Sequence, residues 1–324
     1  MGLLKNFTSA VLPHAALGAA LSAKSYFRAR ATLPGYLTQI EEDFPDFHFQ
    51  EAKLVDSGLE NVVVILDEEW IFRFPRSDAR RLAFAHELQL LMVLRQRTDI
   101  GLPDYRYVAS GARFGGYPML TGEPLNPKRF RALDPAGQRR ALNQFVDFLS
   151  ALHGLSPAKV LGGVRPRHIS AKGEFAAAYF ERQRGPLAHK LGRTLMRRID
   201  RFYAAYAEPQ PHPERMVHGD IDDHHVLLDE RTGKLGIIDF GDAALGDPAA
   251  DLAFLFSLPQ WATQHALARY AFGADDPGLP ERAKSHSVRF AVSRLSNCLQ
   301  HVGYPRIFAD TAAALETQLE LLTV

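Results

Sequence analysis

The sequence holds a single cysteine, Cys298, in 324 residues. One thiol excludes an intramolecular disulfide and any thiolate metal cluster, and it fits a reducing compartment, so a cytoplasmic protein with Cys298 as a buried structural thiol is expected. An excess of charge is missing as well: 38 Lys and Arg against 37 Asp and Glu leave a formal net charge of +1. That balance removes the global electrostatic case for nucleic acid or an acidic membrane as the main partner. Long apolar runs are absent too. Phe7 to Ala23 is apolar, but Pro13 and His14 interrupt it and it falls short of a spanning helix, so no membrane association is expected. There is no internal repeat and no low-complexity tract. What remains, 46% hydrophobic and 23% charged residues, is a globular composition in a chain long enough for one bilobal domain or two smaller ones.

Residues 1–38 read as an N-terminal extension. Beyond it the first part is rich in strands. "NVVVILDEEWIFRFP", Asn61 to Pro75, is two β-branched and aromatic runs joined by the acidic turn Asp67-Glu68-Glu69, which predicts a hairpin. Ala79 to Arg97 carries Phe84, Leu88, Leu91 and Leu94 at helical spacing, with Glu87 beside the stripe. "GGYPMLTGEPLNP", Gly115 to Pro127, is a short strand followed by turn residues and is the best linker in the chain. Gly137 to Leu155 and most of the chain beyond Asp247 read as helical. The expected division is 39–118 for a β-rich part and 119–324 for a helical part.

The densest chemistry lies in "MVHGDIDDHHVLLDERTGKLGIIDFGDAALGDPAADLA", residues 216–253. "VLLD" and "LGIID" read as two strands joined by the turn "TGK", a hairpin expected to bring Asp220, His225 and Asp239 to one end. Carboxylates gathered without lysines repel one another, and a divalent cation with bound phosphate is the usual remedy. The plainer reading is a set of solvated turn residues. It suits any one of these residues better than it suits the set.

"HGD", a ligand-type residue five positions after its Asp, and then "IIDFGDAALGDPAADLA" resemble the aminoglycoside phosphotransferases and their kinase-like relatives, most of all the branch that phosphorylates the 2″-hydroxyl. The resemblance spans roughly residues 45–260 in motif order. It implies an α+β, bilobal protein-kinase-like fold with a small antiparallel N-lobe and a larger helical C-lobe. It also implies a phosphotransferase that moves the γ-phosphate of ATP or GTP, with Mg²⁺, to a hydroxyl of a small molecule, acting as a monomer. Asp220 is then the catalytic base and Asp239 a metal ligand. His225 stands where most of the superfamily has Asn and is assigned beside the metal. His218 and Asp251 support the loop. A metabolite kinase and a nucleotide-binding pseudokinase are the alternatives.

In the N-lobe the resemblance places Arg73 at the strand position that holds phosphates, where lysine is usual, with Glu87 as its helix partner. Ser57 to Asn61 has only Gly58, so a GxGxxG cradle is absent and Ser57 and Gly58 offer a short turn of backbone amides. Tyr117 to Thr121 is the implied purine hinge, with Pro118, Met119 and Leu120 as its contacts. Pro118 has no amide, so the donor is Met119 or a later residue. An aminoglycoside acceptor is a polycation and needs acids. "FLFSLPQWATQHALARYAF" has none, which leaves Asp222 and Asp223, with Asp275 and Asp276, to serve it.

Overall fold

The computed structural model describes residues 32–56, 60–157, 160, 172–206, 210–300 and 305–320. Phe7 to Ala23 lies outside them, as do Ser57 and Gly58. The chain divides into two compact units, Met1–Pro124 with His224–Gly241, and Leu125–Asp223 with Asp242–Val324.

In the first unit, β1 (Ala52–Val55), β2 (Asn61–Leu66), β3 (Trp70–Pro75), β4 (Tyr107–Val108) and β5 (Gly115–Pro118) form an antiparallel sheet in the order β1-β2-β3-β5-β4. The expected hairpin is β2–β3, paired from Asn61↔Pro75 to Leu66↔Trp70. Its turn puts Asp67 and Glu68 at φ 53° and 54°. Asp tolerates that left-handed region because its short side chain bonds locally. Here Asp67 Oδ1 accepts the amides of Gln50 and Glu51 at 2.8 and 2.7 Å.

Side chains alternate faces along a strand, and β2 is covered on both. Val62, Val64 and Leu66 join Phe72, Phe74 and Phe114 on one face, under helix α1 (Leu33–Asp43), which inserts Ile40. Val63 and Ile65 join Val55, Ile71 and Tyr117 on the other. The expected boundary at residue 38 therefore falls inside a helix that belongs to this core. Helix α2 (Asp78–Leu94) starts at Ser77, whose hydroxyl caps the Arg80 amide at 3.3 Å. Phe84, Glu87, Leu91 and Leu94 follow at three- and four-residue spacing on its buried face, so Glu87 is carried into the apolar interior.

The short β6 (Glu123–Pro124) closes this stretch. The chain passes through β7 (Arg215–Val217) of the second unit and returns as the hairpin β8 (Val226–Asp229) and β9 (Lys234–Ile237). That hairpin pairs with β6, and Gly101 bonds the Leu235 carbonyl and the Ile237 amide at 2.7 and 2.9 Å. These backbone ladders tie residues 224–241 to the first unit although they lie far beyond residue 118 in sequence. Gly122, at φ +122°, makes the approach possible: a Cβ there would stand 2.7 Å from the Leu228 carbonyl carbon.

The second unit is mainly helical. It contains α3 (Pro127–Ala132), α4 (Pro135–His153), α5 (Lys172–Lys190), α6 (Arg193–Ala205), α7 (Ala249–Leu252), α8 (Gln260–Arg269), α9 (Leu279–Gln300) and α10 (Pro305–Glu320), with β7 paired to β10 (Ala244–Gly246). Leu195, Ile199 and Phe202 of α6 pack with Val288, Val292 and Leu295 of α9 and Leu315 of α10. The helix expected after Asp247 is one α-turn, α7, followed by a 3₁₀ segment, Ala253–Ser257. No helix among the described residues is long and apolar enough to cross a membrane.

Candidate active site

In the first unit the site is built around Arg73. The residue is 5% exposed, yet it sits in the middle of an edge-free part of the sheet, on β3 between β2 and β5. Its Nη1 donates to Glu87 Oε1 at 2.8 Å and its Nη2 to Asp239 Oδ1 at 2.8 Å. The half-buried Tyr105 completes the cluster, its hydroxyl accepting from Arg73 Nη1 at 3.3 Å and donating to Glu87 Oε1 at 3.1 Å. Burial opposes the charge on Arg73, but Glu87, Tyr105 and Asp239 outweigh it and hold its pKa well above the ordinary value. Burial raises the Glu87 carboxyl, while Arg73 and the Tyr105 hydrogen bond pull it back. The guanidinium is thus pinned by two carboxylates at two different nitrogens, an orientation that lysine with its single Nζ does not reproduce.

Asp239 stands two residues after the end of β9, beyond Ile238, and takes φ 67°, a left-handed conformation uncommon for a non-glycine residue. His225 precedes β8 and is fully buried. The Ile238 amide donates to the His225 carbonyl at 3.0 Å, and the imidazole Nε2 stands 3.8 Å from Asp239 Oδ2. The hairpin therefore brings His225 and Asp239 to one end, as the spacing implies. The Asp239 side chain is 29% exposed, against 6% for Arg73 and 1% for His225. No group of three or more His, Cys, Asp or Glu side chains with metal-binding geometry occurs among the described residues. That donor set fits magnesium, which keeps waters and phosphate oxygens and takes only one or two protein carboxylates, and it does not fit a closed structural metal site.

In the implied hinge, Tyr117 to Thr121, one backbone donor is already used. The Met119 amide donates to the Glu69 carbonyl at 2.6 Å, and Trp70 pairs with Pro118, because the antiparallel ladder of β3 and β5 runs on into the β2–β3 turn. Met119 N–H is occupied. Of the two hinge donors left open by the sequence, Met119 or a later residue, the first is therefore already paired within the sheet. Ser57 and Gly58, the expected phosphate turn, lie outside the described residues.

In the second unit the loop carrying Asp220 is held from beneath by Asp251. This carboxylate is fully buried and accepts the His218 amide at Oδ2, 2.7 Å, and the Gly219 amide at Oδ1, 2.8 Å. Gly219 takes φ 81° between them. The Asp220 amide reaches His218 Nδ1 at 3.3 Å, so His218 braces the loop from within, and Asp220 itself is 8% exposed. Burial would raise the Asp251 pKa, but the His153 hydrogen bond, the charges of His153 and His218 and the Gly219 amide lower it. His153, at the end of α4, meets Asp251 Oδ2 at 3.0 Å through Nε2 and the Tyr270 hydroxyl at 2.6 Å through Nδ1. The sequence reading found Asp251 and missed His153, Tyr270 and Tyr105. A histidine on the apolar face of α4, four residues after Leu149, signals a buried imidazole but does not name its partner.

Asp222 and Asp223, the expected substrate acids, are held by one side chain: Arg294 Nη2 donates to Asp222 Oδ2 at 3.0 Å and to Asp223 Oδ1 at 2.6 Å.

A model of the APH phosphotransferase enzyme family matches residues 51–285. Among curated proteins the chain is similar to the uncharacterized protein YcbJ of Bacillus subtilis (strain 168), 26% identical over 218 residues, which are 63% of this chain and 69% of that protein. Among solved structures it is similar to a GDP and kanamycin complex of APH(2″)-IIIa, 26% identical with a TM-score of 0.70, covering 88% of this chain and 98% of that one. It also resembles the GDP complex of wild-type aminoglycoside 2′-phosphotransferase-IIIa, 25% identical with a TM-score of 0.70 over 90% and 99% of the two chains. A macrolide 2′-phosphotransferase, MphH from Brachybacterium faecium, shares the fold at 21% identity and a TM-score of 0.58, over 87% and 98%.

Proposed function

The chain belongs to the APH phosphotransferase enzyme family, and from that premise we propose that Asp220 is the base that activates a hydroxyl of a small-molecule acceptor, an antibiotic or a related alcohol, for attack on the γ-phosphate of ATP or GTP. It is a small-molecule kinase with a nucleotide co-substrate. The observation that carries the assignment of residues is Arg73 bridging Glu87 and Asp239, since a fixed cation beside a partly exposed carboxylate is what a phosphate chain and its counter-ion require.

Phosphoryl transfer asks little covalent chemistry of the protein, so the residues act by position and charge. Asp220 accepts the proton of the acceptor hydroxyl as its oxygen bonds to the γ-phosphorus. The bond from that phosphorus to the bridging oxygen breaks, and the nucleoside diphosphate leaves with the electron pair. Arg73 holds phosphate oxygens with a guanidinium that Glu87 and Tyr105 keep from turning. Asp239 and His225 would hold magnesium, which neutralises the phosphate charge when bound. Asp251 fixes the His218 and Gly219 amides and so sets the direction of Asp220. Leu120 and the backbone after Met119 receive the purine.

Asp220→Asn is expected to leave nucleotide affinity near wild type and to lower turnover by roughly two to four orders of magnitude. Asp239→Asn is expected to weaken metal-dependent nucleotide binding instead. Steady-state turnover together with calorimetric titration separates the two, and an Asp220→Asn variant with near wild-type turnover removes Asp220 as the base.

A further inference from the structure

Helix α9 carries two arginines that each bridge two aspartates. Arg294 holds Asp222 and Asp223 at 3.0 and 2.6 Å. Arg282 donates from Nε and Nη2 to Asp247 at 3.0 and 3.2 Å, and from Nη1 and Nη2 to Asp276 at 2.9 and 2.6 Å. On α8, Arg269 grips a single aspartate, Asp147, from Nε and Nη2 at 2.9 and 2.7 Å. Of the four acids that the sequence offers to a polycation, Asp222, Asp223, Asp275 and Asp276, three are therefore engaged by guanidinium groups.

The Arg294 arrangement has the features of a fixed ion pair. Its side chain is 25% exposed and those of Asp222 and Asp223 are 14% and 19% exposed. Burial disfavours the Arg294 charge, yet the two aspartates outweigh it and raise its pKa, so the guanidinium stays charged throughout the working range. Asp222 and Asp223 follow Asp220 by two and three residues, on the loop that presents the base. An ammonium group arriving there must displace a partly buried, charge-assisted hydrogen bond already made. Segment Phe254 to Phe272 supplies no acid in compensation.

Resting on the reading of Asp220 as the catalytic base, we propose that Arg294 is a specificity-determining residue: by occupying Asp222 and Asp223 it excludes polycationic acceptors and selects an alcohol with at most one ammonium group. Arg294 acts through the two aspartates and does not touch the reacting atoms. It is a positioning residue for the charge of the acceptor site, and the aspartates, once released, would accept the amines of an aminoglycoside.

The test is calorimetric titration of kanamycin into the full chain without nucleotide, at about 50 and about 200 mM salt, where exposed charges are screened to different extents. Arg294→Gln is expected to bind kanamycin at least tenfold more tightly than wild type, with a steeper salt dependence, and Arg294→Lys is expected to stay near wild type. Equal affinity of wild type and Arg294→Gln overturns the proposal. The double variant Asp222→Asn with Asp223→Asn gives an independent reading: unchanged kanamycin affinity supports the proposal, and a tenfold loss overturns it because the aspartates then already serve the ligand. Titration of Mg²⁺ and nucleotide into the same wild-type sample tests the phosphotransferase reading separately, so a failure of one is not mistaken for a failure of the other.

Discussion

Arg73→Met leaves Glu87, 2% exposed, with the Tyr105 hydroxyl at 3.1 Å as the one side-chain hydrogen-bond partner of its carboxylate among the described residues. Breaking a buried pair by removing one partner costs about 3–5 kcal/mol, most of it the penalty of the uncompensated charge. Replacing both partners by apolar side chains of similar volume is often near neutral. The double variant Arg73→Met with Glu87→Leu is therefore expected to recover most of that loss in urea unfolding. Nucleotide affinity behaves differently. A hydrogen bond from a guanidinium to phosphate contributes about 1.5–3 kcal/mol, or about 10- to 100-fold in affinity, and neither variant can make it. The single and the double variant should both bind nucleotide about 10- to 100-fold more weakly, while only the single one is strongly destabilised. Arg73→Lys keeps the charge but offers one nitrogen where Arg73 uses two, and it should fall between. The refuting result is a double variant that is stable and binds nucleotide as wild type does, since Arg73 would then be a structural ion pair and nothing more.

Two further outcomes follow from the second unit. Asp251→Asn puts an amide NH₂ against either the His218 or the Gly219 N–H, which exchanges a charge-assisted bond for two facing donors; a loss of about 3 kcal/mol in unfolding free energy and a fall in turnover larger than any change in nucleotide affinity are expected, checked by urea titration and steady-state kinetics. Asp247 and Asp251 both have pKa values lowered in the folded protein, Asp247 because His286 and Arg282 overcome its burial. A depressed carboxylate contributes stability above its unfolded value of about 3.9 and loses it as pH falls below that value, so urea midpoints should hold down to about pH 5 and then decline, with a shallower decline in Asp247→Asn.

Local patterns made much of the fold legible. The β-branched run Val62 to Ile65 implies β2 because a strand buried on both faces needs apolar residues at every position, and Ile71, Phe72 and Phe74 around Arg73 imply β3. Glu87 was read as lying beside the apolar stripe of its helix, and its pairing with Arg73 on β3 followed from the family resemblance. The motif from Val226 to Asp239 gave a hairpin whose ends meet, as they do. What could not be read were contacts that depend on where distant elements pack. Nothing near residue 153 points to Tyr270 or Asp251, and nothing near Asp222 points to Arg294, which lies 72 residues on. That the Met119 amide is paired could not be read for a related reason, since its partner, the Glu69 carbonyl, comes from a turn whose exit is fixed by the pairing of β3 with β5.

The central claim is that Asp239 and Arg73 serve a metal-bound nucleotide. Calorimetric titration of ATP and of GTP into the wild-type chain, each with and without Mg²⁺, tests it most directly. At least one nucleotide is expected to bind, and to bind more than tenfold tighter when Mg²⁺ is present. No metal-dependent binding to either nucleotide would contradict the account.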